Sequence, residues 1–188
     1  VVVMPAADVG DHGKTMLAAP ADRLNMCRLL FASEPRYAVS EFEARRNEWT
    51  PTITTVERLL KQEYRNDQLT LIIGADKLPG LEHWIRAKDL FRLCDILVCP
   101  RSGVDLAMYT EQLQAHGARI RIMDVPEAPG ASQEIQQSLG RYEHPQELTK
   151  DVTAYIAEHW LYLDPNILNV EHLMTQKRWK HTLGVRQQ

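Results

Sequence analysis

The chain has 188 residues, 44% apolar and 25% charged, a balance ordinary for one globular domain with its own core. With 22 Lys and Arg against 25 Asp and Glu the net charge is -3, so no concentrated cationic face is available to a nucleic acid, and small ligands become the expected partners. No apolar run nears the roughly 20 residues that a membrane-spanning helix needs, no basic and then apolar export signal opens the chain, and the three cysteines (Cys27, Cys94, Cys99) form no CxxC pair, which together fit a cytoplasmic protein with reduced thiols.

The chain starts with Val1-Val2-Val3-Met4, a β-branched run that reads as a buried strand. A chain that begins inside a strand and without methionine is expected to be a fragment. Asp8 to Thr15 lies one residue from the phosphate-binding pattern GxxxxGK[ST]. Asp8 replaces its first glycine and Pro20 interrupts the helix that should follow, so a solvated loop carrying a useful lysine, Lys14, is the better reading. Helical spacing of apolar residues is expected over 21 to 32, 53 to 65, 86 to 92, 105 to 116, 133 to 140 and 151 to 160, with caps near Asp22, Thr52 and Ser132. Between these helices lie short apolar runs at Ala38 to Ser40, Leu69 to Ile73, Ile96 to Cys99 and Ile120 to Met123. Strands alternating with helices imply an α/β fold with a parallel sheet. Leu69 to Ile73 reads as the central strand, apolar on both faces and stopped by Gly74, and it delivers Gly74-Ala75-Asp76 to the carboxyl edge where such sheets bind ligands. Asp164-Pro165-Asn166 then breaks the last helix.

Several segments in order resemble one family. Pro5 with His12-Gly13-Lys14 is similar to its "PHK" loop, Arg23 and Met26 to its "R..M" helix, and Glu43 to Val56 to "E..R..SYTIDTL", with Pro51 in place of tyrosine. Ile72-Ile73-Gly74-Ala75-Asp76-Lys77-Leu78, then Trp84, Arg86 and Val98-Cys99-Pro100-Arg101, reads like "IIGADSL..L..W.R.......VVVPR"; Val152, Tyr155-Ile156, His159 and Leu161-Tyr162 resemble its closing helix. These are the motifs of the nicotinate (nicotinamide) mononucleotide adenylyltransferases, and the likeness covers roughly residues 1 to 162.

The resemblance implies a Rossmann-like nucleotidyltransferase domain over 1–163, acting on ATP with Mg2+ and on nicotinate mononucleotide. The reaction is in-line attack of the mononucleotide phosphate on the α-phosphorus of ATP, in NAD biosynthesis. It implies stacking of Trp84 on the nicotinate ring, where the alternative is a core tryptophan. Asp76, with Gly74 and Ala75, would meet ribose hydroxyls, where the alternative is a helix cap. His12 and Lys14 would lie near the mononucleotide phosphate, Thr52 and Thr55 near the nicotinate end, and Arg101 near phosphate or in a surface ion pair. Ser132 stands at the start of a helix where the family's "ISSTxIR" turn grips phosphate, but Gln136 occupies the arginine position and cannot offer a charged fork.

The family's opening "GGTFDPxHxGH" has no counterpart in the 188 residues, so the expected form is a truncated chain that is inactive alone. Lys177-Arg178-Trp179-Lys180-His181-Thr182-Leu183-Gly184-Val185 resembles the opening of an HD-type phosphohydrolase, with His181 as first metal ligand, which makes 164–188 a linker and the first helix of a second, truncated domain. Two other readings remain: a degenerate, non-catalytic module docking an HD-type phosphohydrolase, favoured by Gln136, and phosphopantetheine adenylyltransferase, disfavoured by Trp84 and the Tyr155 to Tyr162 ending. Self-association is left open.

Overall fold

The computed structural model describes residues 1–7, 17–46, 48–126, 132–141 and 145–162. In chain order the elements are β1 (Val2–Val3), α1 (Pro20–Leu30), β2 (Ala38–Val39), α2 (Thr52–Gln62), β3 (Leu69–Gly74), α3 (Ala87–Leu93), β4 (Cys94–Cys99), α4 (Leu106–Ala115), β5 (Ile120–Ile122), α5 (Ser132–Gly140) and α6 (Lys150–Glu158). Two 3-10 turns, Ala75–Lys77 and Leu81–His83, join β3 to α3. Strand and helix alternate as expected, and the strand pairs are all parallel.

The chain divides into two compact units, Val1–Arg45 with Gly130–Gln188, and Arg46–Pro129. In the first, β1 pairs with β2, Val2 opposite Ala38 and Val3 opposite Val39. Its core is Leu139, Val152 and Ile156, with Met26, Leu29, Ile135, Leu148, Leu161 and Tyr162 packed against them. The α6 residues Val152 and Ile156 lie one turn apart and so share the buried face. Tyr155, read from the sequence as packing, adds a polar tie: its hydroxyl donates to Asp22 Oδ1 at 2.8 Å and accepts from Asn25 Nδ2 at 3.0 Å, fastening α6 to α1. Burial of the Tyr155 ring environment pushes its pKa up, and Asp22 adds to this against the opposing bond from Asn25.

Three local expectations change. Pro20 opens α1 at the first helical position, where its missing N–H costs nothing, and does not interrupt a helix. Ala19 and Pro51 precede α1 and α2 at the cap positions without side-chain caps, so Asp22 and Thr52 fall inside the first turn. The sheet of the second unit runs β3-β4-β5 among the described residues, which puts β4 in the middle. The apolar run of β3 suggested burial on both faces, yet Ile72 is 47% exposed, while β4 buries Cys94, Ile96 and Val98 in strict alternation.

The second unit owes its solidity to two adjoining apolar clusters. Phe91, Leu78, Leu81, Ile96, Val98 and Leu113 are all 1% exposed or less. Ile53 and Val56 of α2, one turn apart, meet Leu90 of α3 and Cys94 of β4 in an adjoining cluster. Burial raises the Cys94 pKa to about 11, so the thiol stays protonated at neutral pH, and burial likewise raises that of Cys27. Among the described residues no helix is long and apolar enough to cross a membrane.

Candidate functional site

Register builds the site. Gly74, the last residue of β3, lies opposite Cys99, the last of β4, and the strands are parallel, so both carboxyl ends open on the same edge. Asp76 stands two residues past one and Arg101 two past the other. Their side chains meet as that geometry requires, Arg101 Nε lying 3.2 Å from Asp76 Oδ1, with Lys77 Nζ 3.1 Å from Oδ2. All three remain about half exposed, open to a ligand at the edge.

Asp76 is not a helix cap, since Gly74 occupies that position and no side chain caps the turn. Burial works to raise its pKa, and the hydrogen bond and charge of Lys77 with the charge of Arg101 outweigh it, leaving the carboxyl below its ordinary value of 3.8. A depressed carboxylate pKa stabilises the fold above the unfolded-state value, and that contribution disappears as pH falls through the folded value. We therefore expect an NMR titration to place the Asp76 midpoint below 3.8, and Arg101→Gln to move it upward; a midpoint above 3.8 in the unaltered chain would refute the pairing.

Gly74 is demanded by close approach. A β-carbon there would overlap Asp76 Oδ1 and stand 3.1 Å from Arg101 Nε. Because the obstacle is the end of a side chain, Gly74→Ala is expected to cost stability only about 1 kcal/mol while expelling the carboxylate from its pair. Thermal unfolding beside nucleotide affinity tests this: the affinity should fall more than the stability.

Trp84 is half-buried. The indole packs against both apolar clusters of this unit, including the one containing Ile53 and Val56 of α2. That same helix carries Thr52 in its first turn, half-buried, and Thr55, buried at 7% exposure. Ala75, the first residue of the turn after Gly74, is fully buried. The structure thus joins Gly74, Asp76 and Arg101 at the sheet edge, and Trp84 with the helix of Thr52 and Thr55. Ser132 begins α5 and Gln136 lies half-buried within it, both in the first unit. His12, Lys14 and His181 lie outside the described residues.

One residue escaped the sequence reading of roles. Arg86, the cap residue of α3, has φ 55 and ψ 39, a left-handed backbone that costs a residue with a β-carbon roughly 1 kcal/mol. Its guanidinium binds Glu57 Oε1 of α2 at 2.8 Å and Asp89 Oδ2 of α3 at 2.8 Å. The Arg86 hydrogen bond, working against slight desolvation, lowers the Glu57 pKa. Glu57 and Arg86 are 29 positions apart, so no local pattern reveals the pair.

The described residues offer no group of three or more His, Cys, Asp or Glu side chains able to hold a metal, and the Asp76 carboxylate is already shared by two cations. They do not fit a resident ion.

Comparison with known proteins gives these features a family. No family model matches the chain. A Synechococcus protein named "Probable nicotinate-nucleotide adenylyltransferase" is 36% identical over 170 residues, spanning 88% of this chain and 83% of the relative. One of the same name from Pectobacterium atrosepticum is 32% identical over 183 residues, spanning 86% and 84%. Among solved structures, Plasmodium falciparum nicotinic acid mononucleotide adenylyltransferase complexed with NaAD superposes with a TM-score of 0.66 at 15% identity, over 86% of this chain and 81% of that one. At that identity the superposition speaks for the Rossmann-like α/β fold, and the sequence relatives speak for kinship: the chain belongs to the nicotinate-nucleotide adenylyltransferase family.

Proposed function

We propose that this protein transfers AMP from ATP to nicotinate mononucleotide, giving deamido-NAD and pyrophosphate in NAD biosynthesis. The observation that carries the reading is the Gly74-Ala75-Asp76 turn meeting Arg101 at the carboxyl edge of a parallel sheet. A phosphate oxygen of the mononucleotide attacks the α-phosphorus of ATP, a new P–O bond forms there, and the bond to the β-phosphate breaks as pyrophosphate leaves. No covalent enzyme step is needed, so charge neutralisation and positioning supply most of the acceleration.

In this reading Asp76 accepts hydrogen bonds from ribose hydroxyls beside the close-approaching backbone of Gly74 and Ala75. Arg101 faces phosphate while orienting the carboxylate. Trp84 stacks on the nicotinate ring, with Thr52 and Thr55 at the helix start nearby. His12 and Lys14 are assigned to the mononucleotide phosphate. The amides at the start of α5, with Ser132, are assigned to ATP phosphate through the helix dipole, Gln136 contributing no charge. We place the protein in the cytoplasm, a reading supported by free thiols at Cys27, Cys94 and Cys99. We assign 1–163 to the adenylyltransferase domain and 164–188 to the start of an HD-type domain in which His181 would be a metal ligand, a reading supported by the Lys177 to Val185 motif.

The 188 residues contain no HxGH pair, the family's phosphate-contacting histidines. Mixed with ATP, Mg2+ and nicotinate mononucleotide, they are expected to bind the nucleotides weakly and to release almost no pyrophosphate; extended by a GGTFDPxHxGH segment, they should form deamido-NAD rapidly. Rapid release by the 188 residues alone would contradict the need for those histidines. Product from phosphopantetheine and none from nicotinate mononucleotide would contradict the substrate. Gln136 favours a second reading, a binding module without turnover, which binding with no product from the extended chain would support.

A further inference from the structure

Trp84 is braced on both sides. Two residues before it, Glu82 Oε1 accepts a hydrogen bond from Gln112 Nε2 of α4 at 3.0 Å. Two residues after it, Arg86 ties α2 to α3 through Glu57 and Asp89, and its own carbonyl receives the amides of Asp89 and Leu90 at 2.9 and 3.1 Å. Leu90 is fully buried in the cluster that also holds Ile53 and Val56 and against which the indole rests. Between these braces the backbone makes a tight turn, Trp84 N bonding Leu81 O and Ala87 N bonding Trp84 O.

A single exposed ion pair would be a weak fastening. Here one planar guanidinium makes two charge-assisted bonds to carboxylates on different helices, in a geometry that an ammonium cannot reproduce. It does so from a left-handed conformation that asparagine or glycine would tolerate better, so the backbone strain is retained together with the guanidinium.

We propose that Arg86 is a positioning residue for the mononucleotide side of the site: by locking Glu57 to Asp89 it fixes the Trp84 indole against the helix that begins at Thr52. The inference rests on the reading of Trp84 as the surface on which the pyridine ring stacks. Arg86 touches no substrate in this account and acts only through the aromatic residue two positions earlier.

Equilibrium dialysis of nicotinate mononucleotide and of ATP, separately, against the full chain and its variants tests it. Arg86→Met should weaken mononucleotide binding on the order of tenfold and leave ATP binding within about twofold. Arg86→Lys should recover part of the loss, and Glu57→Gln should reproduce part of it. Most tellingly, Arg86→Met added to Trp84→Ala should weaken mononucleotide binding no further, since the residue it positions is gone. Equal losses for both nucleotides, or an undiminished effect of Arg86→Met in the Trp84→Ala background, would overturn the proposal by making Arg86 a general structural support. Unchanged binding by the Arg86 variants, with the unaltered chain binding normally, would overturn it alone; failure of the unaltered chain to bind the mononucleotide would overturn the stacking reading as well.

Discussion

Trp84→Ala is expected to weaken nicotinate mononucleotide binding by roughly 5- to 150-fold, the range that follows from about 1–3 kcal/mol for a base stacked on an aromatic side chain. ATP binding should change far less, because none of the contacts proposed for ATP involves the indole. The indole also packs against two apolar clusters, so alanine will destabilise the unit as well as empty the site. Trp84→Phe separates the two effects. Phenylalanine keeps an aromatic face and much of the packing, and is expected to retain most of the affinity, whereas a leucine of comparable bulk should lose it.

The largest stability effect should come from Phe91→Ala. Phe91 is 1% exposed on α3, where it joins Leu78, Leu81, Ile96 and Val98 in the core. Truncating it removes a buried ring and leaves a cavity that strand β4 cannot collapse to fill, at a cost of about 3–5 kcal/mol. For a chain of this size that is a fall in Tm of roughly 10 °C. Differential scanning calorimetry on the unaltered and Phe91→Ala chains measures it directly. A fall of a degree or two would mean that the core described for residues 46–129 is not the one that holds the unit together.

Much of the framework was legible because its signals are local. β3 and β4 announce themselves as apolar runs ending at Gly74 and before Pro100, and α2 repeats Ile53, Val56 and Leu59 on one face. The Asp76–Arg101 pair could be approached too, since each residue follows a strand by two positions and parallel strands in register bring such positions together. Sheet order was less accessible. The apolar content of β3 says that it packs, but position in a sheet depends on pairing partners distant in sequence, and among the described residues β4 is the strand flanked on both sides.

Other features left no local trace. Arg86 sits in left-handed backbone that glycine or asparagine would ordinarily signal, and the two carboxylates that accompany this conformation lie on separate helices. The ties from Tyr155 to Asp22 and Asn25 span 133 and 130 positions, and they appear only when α6 is laid against α1. The caps near Asp22 and Thr52 failed as predictors for a different reason: Pro20 and Pro51 set the entries to α1 and α2 through a fixed φ, so the polar residues beside them were not needed in that role.

The most direct test of the account is a proton NMR titration of nicotinate mononucleotide with the chain. Stacking places the pyridine protons over the indole face, and its ring current should shift them upfield on binding. The shift should vanish for Trp84→Ala while Asp76→Asn leaves its direction intact. Binding without an upfield shift, or a shift that survives in the alanine variant, would show that the pyridine ring rests on some other surface.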